Sequence, residues 1–156
     1  MKIYIGADHA GYELKEKLTD YLVDLNYEVS DKGAFDFNPS DDYPDFVRPV
    51  ALSVAEEEGS MGIVIGASGQ GEAMCANRIK GIRCALYYGK TGTQVDLSGN
   101  TLDMISSTRM HNEANMLALG ARFLTEDEAK QIVKRFLETK FGGDGRHVRR
   151  IKKLDI

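Results

Sequence analysis

Glu72 stands just past a glycine-rich run, Gly66-Ala67-Ser68-Gly69-Gln70-Gly71, at the first turn of a stretch that reads as a helix. On spacing alone, such a carboxylate complements the positive end of the helix dipole. Its second reading is a general base aimed at a proton on a carbon next to a carbonyl. Glycine permits tight turns and close backbone approach, and amides at a helix N-terminus attract anions, including a developing oxyanion. An ordinary strand-to-helix turn has the same composition. The run is not a Walker A loop, because no GK[ST] follows, and its spacing is not that of the GxGxxG dinucleotide fingerprint. Ser68 is not in a GxSxG nucleophile elbow either, since position 70 is Gln.

Asp8-His9 follows the first apolar run directly, where polar side chains face a cleft or simply cap a helix. His9, His111 and His147 are the only histidines, and no i, i+4 pair or neighbouring thiol gives them metal-ligand spacing. No metal is therefore expected. A histidine that titrates near neutral pH suits the opening of a sugar ring. The segment Arg146-His147-Val148-Arg149-Arg150 is a basic cluster in an otherwise acidic chain. If helical, it puts Arg146 and Arg150 on one face, where guanidinium forks grip phosphate. A solvated charge run is the plainer reading of the same tail. Cys75 and Cys84 read as small buried hydrophobes.

The elements that must position these residues alternate between strand and helix. Lys2 to Gly6 reads as a strand, and residues 11–26 as a helix with Leu14, Leu18, Tyr21, Leu22 and Leu25 on one face. Weaker strand character covers 27–30, and a second helix 46–58. Met61 to Ile65 is a compact apolar strand leading into the glycine loop, and Ile82 to Tyr87 is another. Residues 89–102, rich in Gly, Thr, Ser and Asn, read as a loop followed by a short helix and a strand near 116–119. Thr125 and Glu128 form a capping box that opens a helix to about Lys140. The tail, at about 142–156, is basic and helical.

Strands alternating with helices give a doubly wound three-layer α/β/α sandwich, Rossmann-like, around a five-stranded parallel sheet. Ligands in such sheets bind beyond the C-terminal strand ends, at the switch in strand order. An assumed order of 2-1-3-4-5 makes neighbours of the loops after the first and third strands, Asp8 to Gly11 and Gly66 to Glu72. The 156 residues fit one domain, 1–156. A net charge of -4 argues against a nucleic-acid surface, and no apolar run approaches a membrane span. Two cysteines without framework or CxxC spacing, and no signal peptide, point to the cytoplasm.

Taken together, the motifs resemble the ribose-5-phosphate isomerase B family, which includes related hexose-phosphate isomerases. The matching stretches are Gly6 to Lys15, Asp41-Asp42-Tyr43-Pro44, Gly66 to Glu72 with Ala76-Asn77-Arg78, Gly81-Ile82-Arg83, Arg109 to Asn112, Ala118 to Arg122 and Gly145 to Ile151. They fall in family order across nearly the whole chain. The resemblance implies an aldose–ketose isomerase acting on ribose 5-phosphate, needing no cofactor. It also implies a homodimer with active sites built from both chains, a dimer of dimers being left open. It assigns His111 to ring opening, with Asp8 near the ring oxygen or hydroxyls, and places Tyr43 and Asn112 along the substrate. His9, Arg122, Arg146 and Arg150 match the phosphate-binding set. The amides of Gly69, Gln70 and Gly71 would hold the enediolate, with Ser68 beside them.

Many members of that family carry a cysteine where this chain has Gly66, whereas Glu72 matches the branch whose base is a glutamate. The stretch between Tyr88 and Arg109 departs from the pattern by about ten extra residues, a length at which loops are often functional. It precedes His111 and bears on which sugar is accepted. The alternatives are an isomerase of galactose 6-phosphate, allose 6-phosphate or a tetrose phosphate, a non-catalytic sugar-phosphate sensor, and a nucleotide-binding Rossmann protein. The missing fingerprint argues against the last.

Overall fold

The computed structural model describes residues 1–155. Strand β1 (Lys2–Ala7) leads into α1 (Tyr12–Asp24), then β2 (Glu28–Asp31), α2 (Pro44–Glu56), β3 (Met61–Gly66) and α3 (Gln70–Ala76). Next come β4 (Cys84–Tyr87), the short β5 (Gln94–Val95) and β6 (Thr101–Leu102), α4 (Met104–Asn112), β7 (Met116–Gly120), α5 (Glu126–Glu138) and α6 (Gly145–Ile151). Five parallel strands make the main sheet, in the order β2-β1-β3-β7-β4.

Period-two alternation sorts the strand residues between two cores. Ile3, Ile5, Ile63, Ile65, Leu117 and Leu119 face Leu18 and Leu22 of α1, Ile105 of α4 and the apolar stripe of α5. Tyr4, Val64, Met116 and Ala118 face Val47, Val50 and Val54 of α2 with Ala73 and Ala76 of α3. Helices thus cover both faces, giving the expected three-layer sandwich.

The strand order differs from the assumed one at its far end. The fifth sheet strand in the chain, β7, lies inside, and the fourth, β4, forms the edge. Burial explains the exchange. Every residue of Met116–Gly120 is buried, while Cys84, Ala85 and Leu86 are only half-buried, so the wholly apolar strand takes the central position. The switch between β1 and β3 is unaffected. The order also sets the exit of β7 against the glycine loop, which the assumed order did not.

Residues 89–102 are not a plain loop. β5 and β6 pair antiparallel, and the turn between them is built on Asp96. Its amide donates to the Asn100 carbonyl, and its carboxylate accepts from the amides of Ser98 at 2.8 Å and Asn100 at 2.9 Å. A composition of Gly, Thr, Ser and Asn reads as a loop until that side-chain–backbone pairing is seen. The capping box is present in part: Thr125 Oγ1 accepts the Glu128 amide at 3.2 Å. Lys15, on the apolar side of α1, has no solvent exposure. It is paired with Asp31 and, at 2.8 Å, with Glu16. Among the described residues no helix is long and apolar enough to cross a membrane.

Candidate active site

The loops after β1 and β3 converge at the switch point. Gly69 starts α3 in the left-handed region, at φ +74°, a conformation that favours glycine. The helix therefore begins abruptly at the end of the strand and swings Glu72 back toward it. A Cβ added at Gly66 would lie 1.8 Å from Oε1 of Glu72, so the carboxylate fills the space that any side chain at position 66 would need. A side chain at 66 would push the Glu72 carboxylate out of this position.

Glu72 is only 4% exposed. Burial pushes its carboxyl above the ordinary glutamate range; its own backbone amide opposes this, and the nearby Asp8 charge adds to it. Asp8 is also buried and also pushed up, by burial first, against the amides of Gly11 and Ala10 that it accepts at 3.3 and 3.0 Å. Two buried carboxyls in each other's field disfavour full ionisation of the pair. The Cys84 thiol, near Glu72, is pushed to about 12 by burial, against a hydrogen bond from the Ala118 backbone and with the Glu72 charge adding. It is no thiolate at neutral pH, which leaves the carboxylate as the basic group here.

His9 is held by Asp41, whose Oδ1 lies 2.6 Å from Nδ1 and accepts the His9 amide at 3.1 Å. These two contacts with Asp41 fix the ring of His9. The spacing of Asp41 to His9 carried no signal of this pairing. Ligand atoms of Asp8, His9 and Asp41 all lie within 4.8 Å of one another, a set able to hold a cation, although His9 Nδ1 is already bonded to Asp41. Tyr43 packs against the loop, its ring 2.8 Å from where a Cβ of Gly71 would stand. Ser68 Oγ accepts the Gln70 amide at 3.3 Å, while the amides of Gly69 and Gly71 make no hydrogen bond within the described chain. Those two donors are free for an oxyanion. The exit of β7 clamps the same loop: Ala121 donates to the Gly66 carbonyl at 2.8 Å and Arg122 to that of Ala67 at 3.1 Å. The exposed Arg122 side chain therefore starts beside the glycine loop.

A second group forms around α4 and α6. The rings of His111 and His147 stack at 4.4 Å, 8° from parallel. Arg146 Nε donates to His147 Nε2 at 3.2 Å. Burial first, then His111 and Arg146, hold His147 below the ordinary histidine range, so it serves as a neutral acceptor. Asn112 is exposed at the end of α4, and Arg150 is exposed one turn beyond Arg146. Asp96 at 3.7 Å from Nε2, Ser107 at 3.4 Å from Nδ1 and the stacked His147, none singled out as site residues from the sequence, surround His111. The structure therefore brings together Asp8, His9, Tyr43, Ser68 to Glu72 and the start of Arg122, and separately His111, Asn112, Arg146 and Arg150. Among the described residues no hydrogen bond or ion pair joins the two groups.

The sequence profile of the ribose/galactose isomerase family matches residues 3–154. The chain belongs to that family. A ribose-5-phosphate isomerase B of Mycobacterium tuberculosis is 38% identical over 97% of this chain and 86% of its own length. The crystal structure of a ribose 5-phosphate isomerase from Thermotoga maritima superposes with a TM-score of 0.86 at 41% identity, covering 99% of this chain and 97% of that one. The Mycoplasma genitalium ribose-5-phosphate isomerase B, solved with bound ribulose-5-phosphate, gives a TM-score of 0.86 at 36% identity, over 98% of this chain and 93% of its own. This family member is thus a sugar-phosphate isomerase by kinship along its whole length.

Proposed function

We propose that the chain interconverts D-ribose 5-phosphate and D-ribulose 5-phosphate through a cis-enediolate, as one domain over 1–156 acting in a homodimer. The observation that carries this reading is the Glu72 carboxylate, buried in the room left by Gly66 and set beside the free amides of Gly69 and Gly71. The ligand-bound Mycoplasma relative supports the choice of sugar.

Ring opening comes first. His111 gives a proton to the ring oxygen while the C1 hydroxyl proton passes to the Asp8 carboxylate, the C1–ring oxygen bond breaks, and an aldehyde forms. Asp8 lies on the hydroxyl side. Glu72 then removes the C2 proton, and the electron pair moves onto the C1 oxygen, whose charge the loop amides meet. A carboxylate manages this only where water is excluded and the oxyanion is held, and burial adds to its basicity. The C2 hydroxyl proton passes to the C1 oxygen, the charge moves to the C2 oxygen, and Glu72 returns its proton to C1, giving the ketone and its C1 hydroxyl. His9, Arg122, Arg146 and Arg150 grip the phosphate, and Tyr43 and Asn112 line the sugar. Because no hydrogen bond or ion pair joins the His111 group to the Glu72 group among the described residues, the partner subunit supplies it in this reading. Two free cysteines suit a reducing cytoplasm.

Ketose formation from D-ribose 5-phosphate in the presence of a chelator tests the reading. Rapid conversion is expected, with unphosphorylated D-ribose a poor substrate for want of the phosphate grip. Equal turnover of both sugars contradicts the clamp. Conversion of a hexose or tetrose phosphate in place of the pentose reassigns the substrate, and binding without turnover makes the chain a sensor.

A further inference from the structure

The hairpin of β5 and β6 presses on α4, where the proposed ring-opening residue lies. At its turn Asp96 Oδ1 accepts the amides of Ser98 and Asn100, and Oδ2 accepts Asn100 Nδ2 at 3.0 Å. The same Oδ2 faces His111 Nε2 at 3.7 Å, in ion-pair range but too far for a direct hydrogen bond. On the other side of the ring, Ser107 Oγ lies 3.4 Å from His111 Nδ1, and Gln94 of β5 donates to that same hydroxyl. His147 closes one face of the ring. The hairpin thus reaches both nitrogens of His111, one through Asp96 and one through Gln94 and Ser107. Gln94 of β5 and Asn112 of α4 both line a cavity of about 540 Å³.

The Asp96 carboxylate is well suited to this position. Its side chain is 7% exposed, and three donors from its own turn fix its direction. Those hydrogen bonds, chiefly from Asn100, hold its carboxyl down at about 2, so it is an anion throughout the working range of an enzyme. A fixed anion beside the imidazole orients the ring for the proton it must deliver.

Resting on the isomerase reading above, we infer that Asp96, carried by the hairpin, is a positioning residue for His111 in ring opening. It touches neither the reacting carbons nor Glu72. Its effect is confined to the step that breaks the C1–ring oxygen bond.

The chemistry of the two sugars isolates that step. Ribose 5-phosphate is a furanose and must open. Ribulose 5-phosphate cannot close, because the hydroxyl that would attack its C2 ketone carries the phosphate. Exchange of its C1 hydrogen with deuterated solvent needs Glu72 and the loop amides but no ring opening. Asp96→Asn keeps the acceptor for Ser98 and Asn100 and removes the charge. The variant is expected to lose about ten-fold or more in kcat/KM for ribose 5-phosphate while C1 exchange in ribulose 5-phosphate stays within about two-fold of wild type. Asn100→Ala, which keeps the charge and loosens its hold, should show the same split to a smaller degree. Equal loss in both assays makes the hairpin merely structural and overturns the inference, as does no loss in either. A wild-type protein that exchanges and isomerises neither sugar overturns the isomerase reading itself, and the inference with it.

Discussion

Glu72 is held in a state that folding alone would not choose. Its carboxyl is pushed up by burial, so its neutral form is the one the fold prefers. The sign follows: a raised folded-state value stabilises the protein below the unfolded value, and that gain is lost as pH rises through the raised one. At neutral pH the charged glutamate therefore costs stability, a cost that makes sense for a base. A protonated base is inactive, so the acid limb of kcat/KM for ribose 5-phosphate should fall off at a pH above the ordinary glutamate value of 4.5, as a pH–rate profile will show. A limb at or below that value would remove Glu72 from the role. The sequence displayed Glu72 and its glycine loop because glycine runs and a first-turn carboxylate are local features. It did not display Asp41 on His9 or Asp96 near His111, because both pairs join segments that only the fold brings together.

At the scale of elements, the turn from β3 into α3 decides where the proposed base can stand. The left-handed Gly69 sets the helix start, and the bare Gly66 makes room for the carboxylate. Gly66→Ala would place a methyl 1.8 Å from Oε1 and force the carboxylate out of its seat. Steady-state kinetics on the variant should show kcat lower by about ten-fold or more with KM little changed, since a displaced base spoils geometry rather than phosphate binding. A wild-type kcat would mean that the carboxylate works from elsewhere. The helices and strands around this turn were legible from periodicity to within a few residues. The order of the last two sheet strands was not, because neighbours in a parallel sheet are chosen by burial on both faces. The β5–β6 hairpin was hidden for a different reason: its strands are two residues long and its turn rests on one side chain.

At the scale of the molecule, one chain holds two groups of candidate site residues without joining them. Asp8, His9, Ser68 and Glu72 lie at the switch point, while His111, Arg146 and Arg150 lie around α4 and α6. A symmetric dimer resolves this if each chain lends its second group to its partner's first. The sequence suggested such sharing only through family resemblance, since nothing in the spacing of His111 and Glu72 tells within-chain from between-chain contact. With base and ring-opening acid proposed to come from different chains, one measurement is decisive. Glu72→Gln and His111→Asn are each prepared as purified, nearly inactive proteins, then mixed under conditions that exchange subunits, and ketose formation from ribose 5-phosphate is followed. Half of the randomly reassorted dimers would be mixed, and each would carry one intact site, so activity should return to about a quarter of wild type. No recovery on demonstrated subunit exchange, or full activity in either variant alone, would contradict the shared Glu72–His111 site.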